Sequence, residues 1–377
     1  MMDACNICNE PLGAPVYESA RPVSITSLCQ VLDGPTRVWH CENCGHTQTA
    51  PLPALEKFYA EDYHILTASE DEDQLYAVRE GQKIFRTEHQ VATLLEKLDL
   101  PPNAQVLDYG CGKAATLKAL RSRREDLAPH VFDVGEQYRD FWNAFVPAEN
   151  QAVNEVPSEW AGRFDAVISF FALEHVAAPK AFVAEAHRLL RDGGTFYFLV
   201  PNLFANTADL VVADHVNHFF ESSLHRLLAD AGFAVREIDG TAHNSAWVVV
   251  AEKSDSDGIV PVANSVADAV NSMADYWREF GSRVREFENA NGGEVAIYGS
   301  GFYGTFIHSS LERPEAVACF LDQNPHRQKQ TLLGKPILAP EALPETVRRL
   351  YVGLNPRVAR EELAAMEWLR DLEVFFL

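Results

Sequence analysis

The sequence predicts an α/β protein built on parallel sheets covered by helices, with a small metal-stapled unit ahead of them. Three observations predict it. From residue 104 onward, hydrophobic strands alternate with helical stretches. Two glycine turns, "DYGCG" at 108–112 and "YGSGFYG" at 298–304, each follow a strand and precede a helix. Two Cys-x-x-Cys pairs, Cys5/Cys8 and Cys41/Cys44, stand near the start.

The bulk properties bound the answer. A chain of 377 residues is long enough for two or three domains, and 47% hydrophobic with 23% charged residues is ordinary for a soluble fold. No apolar run approaches the ~18–20 residues of a membrane span. The opening "MMDACNICNE" lacks a basic region followed by an apolar core, so a cytoplasmic protein with no membrane partner is expected. The formal charge of −22 opposes binding to a polyanion, and the one short basic cluster, "RSRRED" at 121–126, is diluted by acids. Nucleic acid is therefore not an expected partner.

The first element is the cysteine unit, residues 1–68. Seven cysteines without a secretory signal argue against a disulfide framework. Two thiolates on one tight turn can both reach a zinc ion at ~2.3 Å, and Asn9 and Gly45 suit the turns that follow each pair. Four thiolates leave no open position, so the predicted zinc is structural, with His40 and His46 as reserve ligands and Cys29 as a bystander. Next, Ile84, Val91, Leu94, Leu95 and Leu98 fall at helical spacing and predict one helical stretch over 70–100, ended by Pro101-Pro102. The alternating strands and helices of 104–253 complete a unit bounded at 69–253, its last two strands an antiparallel pair joined by "TAHN". A polar Gly/Pro linker over 254–265 leads to a long helix and a second βα series, giving a third unit at 254–377.

Both glycine turns are candidate ligand cradles, because glycine lets the backbone approach a ligand and the following helix directs its positive end there. At the first, Gly110 and Gly112 are present but position 115 is alanine, so a dinucleotide fingerprint is incomplete. Dinucleotide and S-adenosylmethionine remain the two readings at this point. Asp108 can organise the turn or meet an ammonium, and Asp133, 25 residues later, can accept ribose hydroxyls, with Glu136 nearby.

The run "FDAVISFFALEHVAAPKAFVAEAHRLLRDGGTFYFLVPN", taken with these acids and glycines, resembles the class I S-adenosylmethionine-dependent methyltransferases over about 104–253. The resemblance implies a Rossmann-like core and S-adenosylmethionine as cofactor. It implies donor binding by Asp108, Gly110, Gly112 and Asp133, by an aromatic wall at Phe170 and Phe171, and by Glu174 and His175 at the pocket edge. The segment "VVADHVNHFFESSL" then carries the acceptor chemistry, because histidine titrates near neutrality: His215 is the candidate base, with Asp214 and His218 beside it.

The order of a two-knuckle zinc unit, methyltransferase core and C-terminal Rossmann-like unit resembles the nucleotide-sugar C-methyltransferases of deoxysugar biosynthesis. "WHCENCGHTQTAPLPALEKFYAEDYHI" is similar to that family's second knuckle, and "ADHVNHFF" to its Glu-His loop with Asp214 for Glu. The sequence departs from the pattern at Val212 and Ala213, where a tyrosine is expected, and in the acidic "TASEDEDQ". The resemblance implies a nucleotide-sugar acceptor near Tyr59 and Tyr63. The second turn, with Gly299, Gly301 and Gly304 followed by Asp322, reads on motif alone as an NAD signal. By resemblance it holds the nucleotide-sugar instead, through Gly299 and Gly301. Alternative acceptors are another small metabolite methylated on O or N, or RNA; a non-catalytic binding module is the remaining alternative.

Overall fold

The computed structural model describes residues 3–53, 55–59, 63, 69–79, 82–254, 265–290, 292–363 and 366–376. The expected linker at 254–265 lies almost wholly outside them. The chain forms two compact units, each assembled from three segments: residues 1–14, 39–205 and 215–267 in the first, and 15–38, 206–214 and 268–377 in the second.

The first unit is centred on a seven-stranded sheet. Its strands are β1 (Gln105–Tyr109), β2 (Ala128–Asp133), β3 (Gln151–Val153), β4 (Phe164–Phe170), β5 (Leu190–Pro201), β6 (Phe233–His243) and β7 (Ala246–Lys253), in the order β3-β2-β1-β4-β5-β7-β6. β1 to β5 run parallel, and β7 lies antiparallel between β5 and β6. This is the class I methyltransferase arrangement of the Rossmann-like fold, as the sequence predicts. The physical reason is visible in the burial: Val106, Leu107, Val167, Ile168, Phe196 and Phe198 have no exposed surface, as strands covered on both faces require.

Helix α1 (Arg86–Lys97) packs Val91 and Leu94 onto one face of this sheet with α2 (Ala115–Arg123), while α3 (Pro179–Leu189) and α4 (Glu221–Asp230) serve the other. Pro179 opens α3 at a position where its missing N–H leaves no bond unmade. The single helix expected over 70–100 is corrected: Leu75–Arg79 and Gln82–Phe85 form an antiparallel hairpin, and the helix starts only at Arg86. Tyr76, Val78, Ile84 and Phe85 are β-branched or aromatic residues that favour strands, a signal weaker than the helical spacing of Val91, Leu94, Leu95 and Leu98. The cysteine knuckles are not a separate core. Cys5, Ile7, Cys41 and Cys44 share one apolar cluster with Phe219, Leu224 and Leu227.

The second unit contains helix α5 (Ser265–Ala290) from Asp268 onward and a second sheet. Its strands β8 (Val295–Tyr298), β9 (Val317–Leu321), β10 (Thr331–Leu332), β11 (Lys335–Leu338), β12 (Arg349–Val352) and β13 (Glu373–Phe376) lie in the order β10-β11-β9-β8-β12-β13. All pairs are parallel except β10 with β11. Helix α6 (Phe302–Ser310) follows the second glycine turn. The aromatic rings of Trp277, Tyr303 and Phe306 pack together between α5 and α6. No helix among the described residues is long and apolar enough to cross a membrane.

Candidate active site

The first glycine turn leaves β1 at the carboxyl end of the sheet, where ligands bind in this fold. Gly110 has φ +75°, and a Cβ there would stand 2.8 Å from the Cβ of Ala172, so only glycine lets the turn sit against the segment after β4. Asp133 pins the turn: its carboxylate accepts from Gly112 N at 2.7 Å and Gly135 N at 3.0 Å. The Trp142 indole donates to Gly112 O at 2.7 Å.

Asp108 is buried, and among the described residues nothing hydrogen-bonds its Oδ1. Burial, and then the neighbouring Asp133, push its carboxyl up to about 8. A buried acceptor atom without a donor fits the α-ammonium of S-adenosylmethionine, which would supply both hydrogen and charge. The turn, the free oxygen and Asp133 together form a donor set that suits that cofactor.

Beyond β4, Phe171 has φ +55°, an uncommon conformation for a bulky residue and a sign of local constraint at a site. Its ring lies 5.3 Å from the Arg86 guanidinium and 5.5 Å from the ring of His243. Phe170 is half-buried against Tyr197. A short 3-10 turn, Leu173–His175, then presents Glu174 and His175. Glu174 is buried, with its Oε1 4.0 Å from His175 Nε2. Tyr59 Oη lies 2.6 Å from His175 Nδ1, and Tyr63 packs on both rings at 4.9 and 5.7 Å. The His215 ring meets His175 edge-on at 4.7 Å, and one ligand atom each of Glu174, His175 and His215 lie within 4.8 Å of one another.

The other predicted residues fall elsewhere. His218 is buried, its Nε2 2.8 Å from Thr49 Oγ1. Asp214 belongs to the second unit, fully buried, where it accepts from Ser27 N at 2.6 Å and Ser27 Oγ at 2.7 Å. Arg86 was missed by sequence reasoning; it opens α1, inside the stretch read as one helix, and its charge faces Asp73, Tyr63 and Glu174.

In the second unit, the glycines of the later turn serve packing. A Cβ on Gly304 would stand 2.0 Å from Gly299 O, and one on Gly299 would stand 2.3 Å from Gly353 O. Gly301 alone faces open space. Asp322 is engaged by Ser300, accepting from its N at 3.1 Å and its Oγ at 2.5 Å, and Arg327 donates to Ser300 O at 2.6 Å.

The four cysteines Cys5, Cys8, Cys41 and Cys44 converge, with Sγ–Sγ separations of 3.6 Å (Cys5–Cys44) and 3.5 Å (Cys8–Cys41). Four thiolates around one zinc at ~2.3 Å stand ~3.8 Å apart, so the cluster fits a tetrahedral ion. As free thiols they perturb one another: hydrogen bonds from Cys44 and Cys5 lower the pKa of Cys41, and the Cys41 partner raises that of Cys5.

Residues 82–238 match a family described as a methyltransferase domain. The matched stretch, under half of the chain, is the part folded as a class I methyltransferase. Among curated proteins, it is 33% identical over 106 residues to the ubiquinone biosynthesis O-methyltransferase of Xanthomonas campestris, covering 27% of this chain and 44% of that protein. The protein of the same name from Thiobacillus denitrificans is 25% identical over 172 residues, 41% of this chain and 74% of the relative. The chain thus spans less than half the length of the Xanthomonas relatives. Similar solved structures include S-adenosylmethionine-dependent methyltransferases from Mesorhizobium loti (15% identity, TM-score 0.36, 44% of this chain and 97% of that one) and Aquifex aeolicus (19%, 0.35, 43% and 88%).

Proposed function

We propose that this protein transfers a methyl group from S-adenosylmethionine to a small-molecule acceptor, and that the acceptor is a nucleotide-activated ketosugar. One observation carries the reading: Glu174 and His175 follow closely on Ala172, which lies against the donor turn at Gly110, and His215 joins them in space. Asp108 takes the donor's ammonium, Asp133 its ribose hydroxyls, and Phe170 and Phe171 its flanks. Bound there, the donor supplies an electrophilic methyl on a sulfonium. His215 removes the acceptor's proton, the acceptor's electron pair forms the new bond to the methyl, and the old carbon–sulfur bond breaks toward sulfur. Tyr59 fixes the ring of His175, and Tyr63 walls the acceptor. His218 and Asp214 anchor their segment through hydrogen bonds with Thr49 and Ser27. Zinc held by Cys5, Cys8, Cys41 and Cys44 is structural. At the second turn we propose anion binding at Gly301 rather than NAD, because the neighbouring glycines Gly299 and Gly304 are taken up by backbone packing and Gly301 alone faces open space.

O-methylation of a phenolic acceptor is the second reading, favoured by relatives named for ubiquinone biosynthesis O-methylation. The test is S-adenosylhomocysteine release with a panel of nucleotide 4-ketosugars beside a panel of catechols. Turnover with one ketosugar, absent with its already methylated analogue, supports sugar methylation. Turnover confined to catechols replaces the first reading with the second. Donor binding without turnover in either panel sinks both acceptors.

A further inference from the structure

Asn217 is fully buried and makes four side-chain hydrogen bonds. Its Nδ2 donates to Leu173 O at 3.0 Å and Val176 O at 2.7 Å, the carbonyls on either side of Glu174 and His175. Its Oδ1 accepts from Asn6 Nδ2 at 2.6 Å, inside the first cysteine knuckle, and lies 3.3 Å from His46 Nε2, just past the second. The backbone repeats the connection. Asn217 and His218 pair antiparallel with Gln48 and Thr47, and Gln48 Oε1 accepts from Asn6 N at 2.9 Å. Two residues before Asn217 stands His215, whose ring rests on His175.

We infer that Asn217 is a positioning residue that sets the mutual geometry of His175 and His215 and ties it to the cysteine cluster. The inference rests on the reading of those imidazoles as the acceptor site. A primary amide is needed here because one group must donate twice on one side and accept on the other. A buried amide filling only a packing role would need bonds, but not bonds whose ends are the turn carrying His175 and the knuckle carrying Cys5 and Cys8. Aspartate at 217 keeps the acceptor toward Asn6 and loses both donors to the Leu173–Val176 turn. Alanine at the part-buried Asn6 loosens only the knuckle side.

The test uses the full-length, metal-loaded protein with 15N-labelled histidine. Long-range proton–nitrogen spectra follow the ring nitrogens of His175 and His215 from about pH 5.5 to 8.5, through the histidine range. Binding of S-adenosylhomocysteine is measured alongside by calorimetry. In Asn217→Asp, at least one of the two rings should shift its titration midpoint by about half a unit or more, or lose its single tautomer. Donor-product affinity should stay within about threefold. Asn6→Ala should shift the same rings in the same direction by less. Unchanged midpoints and tautomers in both variants overturn the inference, as does collapse of donor-product binding together with the rings in Asn6→Ala. Should Asn217→Asp not fold, Asn6→Ala decides alone. No acceptor is needed, so the outcome is independent of whether ketosugars are turned over.

Discussion

A carboxyl buried beside another, as Asp108 is beside Asp133, keeps its proton to about pH 8. An arriving ammonium favours the carboxylate, so below that pH donor binding must release a proton. Affinity for S-adenosylmethionine should therefore rise between pH 6 and 7.5, by at most about tenfold per unit. Asp108→Asn should bind about tenfold more weakly and flatten that dependence. Calorimetry at several pH values reads both effects, and an unchanged slope in the variant would remove Asp108 from the donor site. Asp108 and the glycines were legible in the sequence because a strand, an acid and a turn are fixed by neighbouring residues. Asp214 was not, since its partner Ser27 lies 187 positions away. Nor was Asn217, whose four bonds reach residues as far as 211 positions off.

At the scale of elements, the two glycine turns look alike in sequence and are built differently. The first is closed at Gly110, against the side chain of Ala172, and roomier at Gly112; the second is closed by backbone contacts among Gly299, Gly304 and Gly353, open only at Gly301. Gly304→Ala should destabilise the protein by several kcal/mol, because backbone at 2.0 Å cannot yield as a side chain does. Gly301→Ala should leave the melting temperature within about 2 °C. Thermal denaturation checks the pair, and equal melting temperatures would contradict the packing role. The strand–helix alternation of 104–253 was readable because each strand is apolar along its length and each helix carries one apolar stripe. The strand pair Leu75–Arg79 and Gln82–Phe85 was hidden by an apolar spacing that suited a helix equally well until Arg86.

At the scale of the molecule, the two units share one chain that passes between them five times, since each comprises three alternating segments. Residues 15–38 and 206–214 have their partners in 268–377. Arg21 donates to Ser309 O at 2.9 Å, and the Trp277 indole donates to Thr207 O at 2.8 Å. A chain truncated after Lys253 should then be poorly soluble or melt well below the full-length protein, despite retaining every strand of the seven-stranded sheet. Expression and thermal denaturation of the two lengths decide it; equal melting temperatures would mean that those segments need no partner. The strand–helix pattern showed where sheets begin but not this interleaving, which depends on pairings across most of the sequence.

Arg21 and Ser309 are 288 positions apart. At a synthesis rate of ~5–20 residues per second, the ribosome needs roughly 15–60 s to travel between them. For that interval the ribbon at 15–38, with Tyr17, Ile25 and Val38 that end up buried, lacks the segment 268–377 that completes its unit. The yield of native protein in a cell is thus set partly by a clock, and by whatever shields those side chains while it runs.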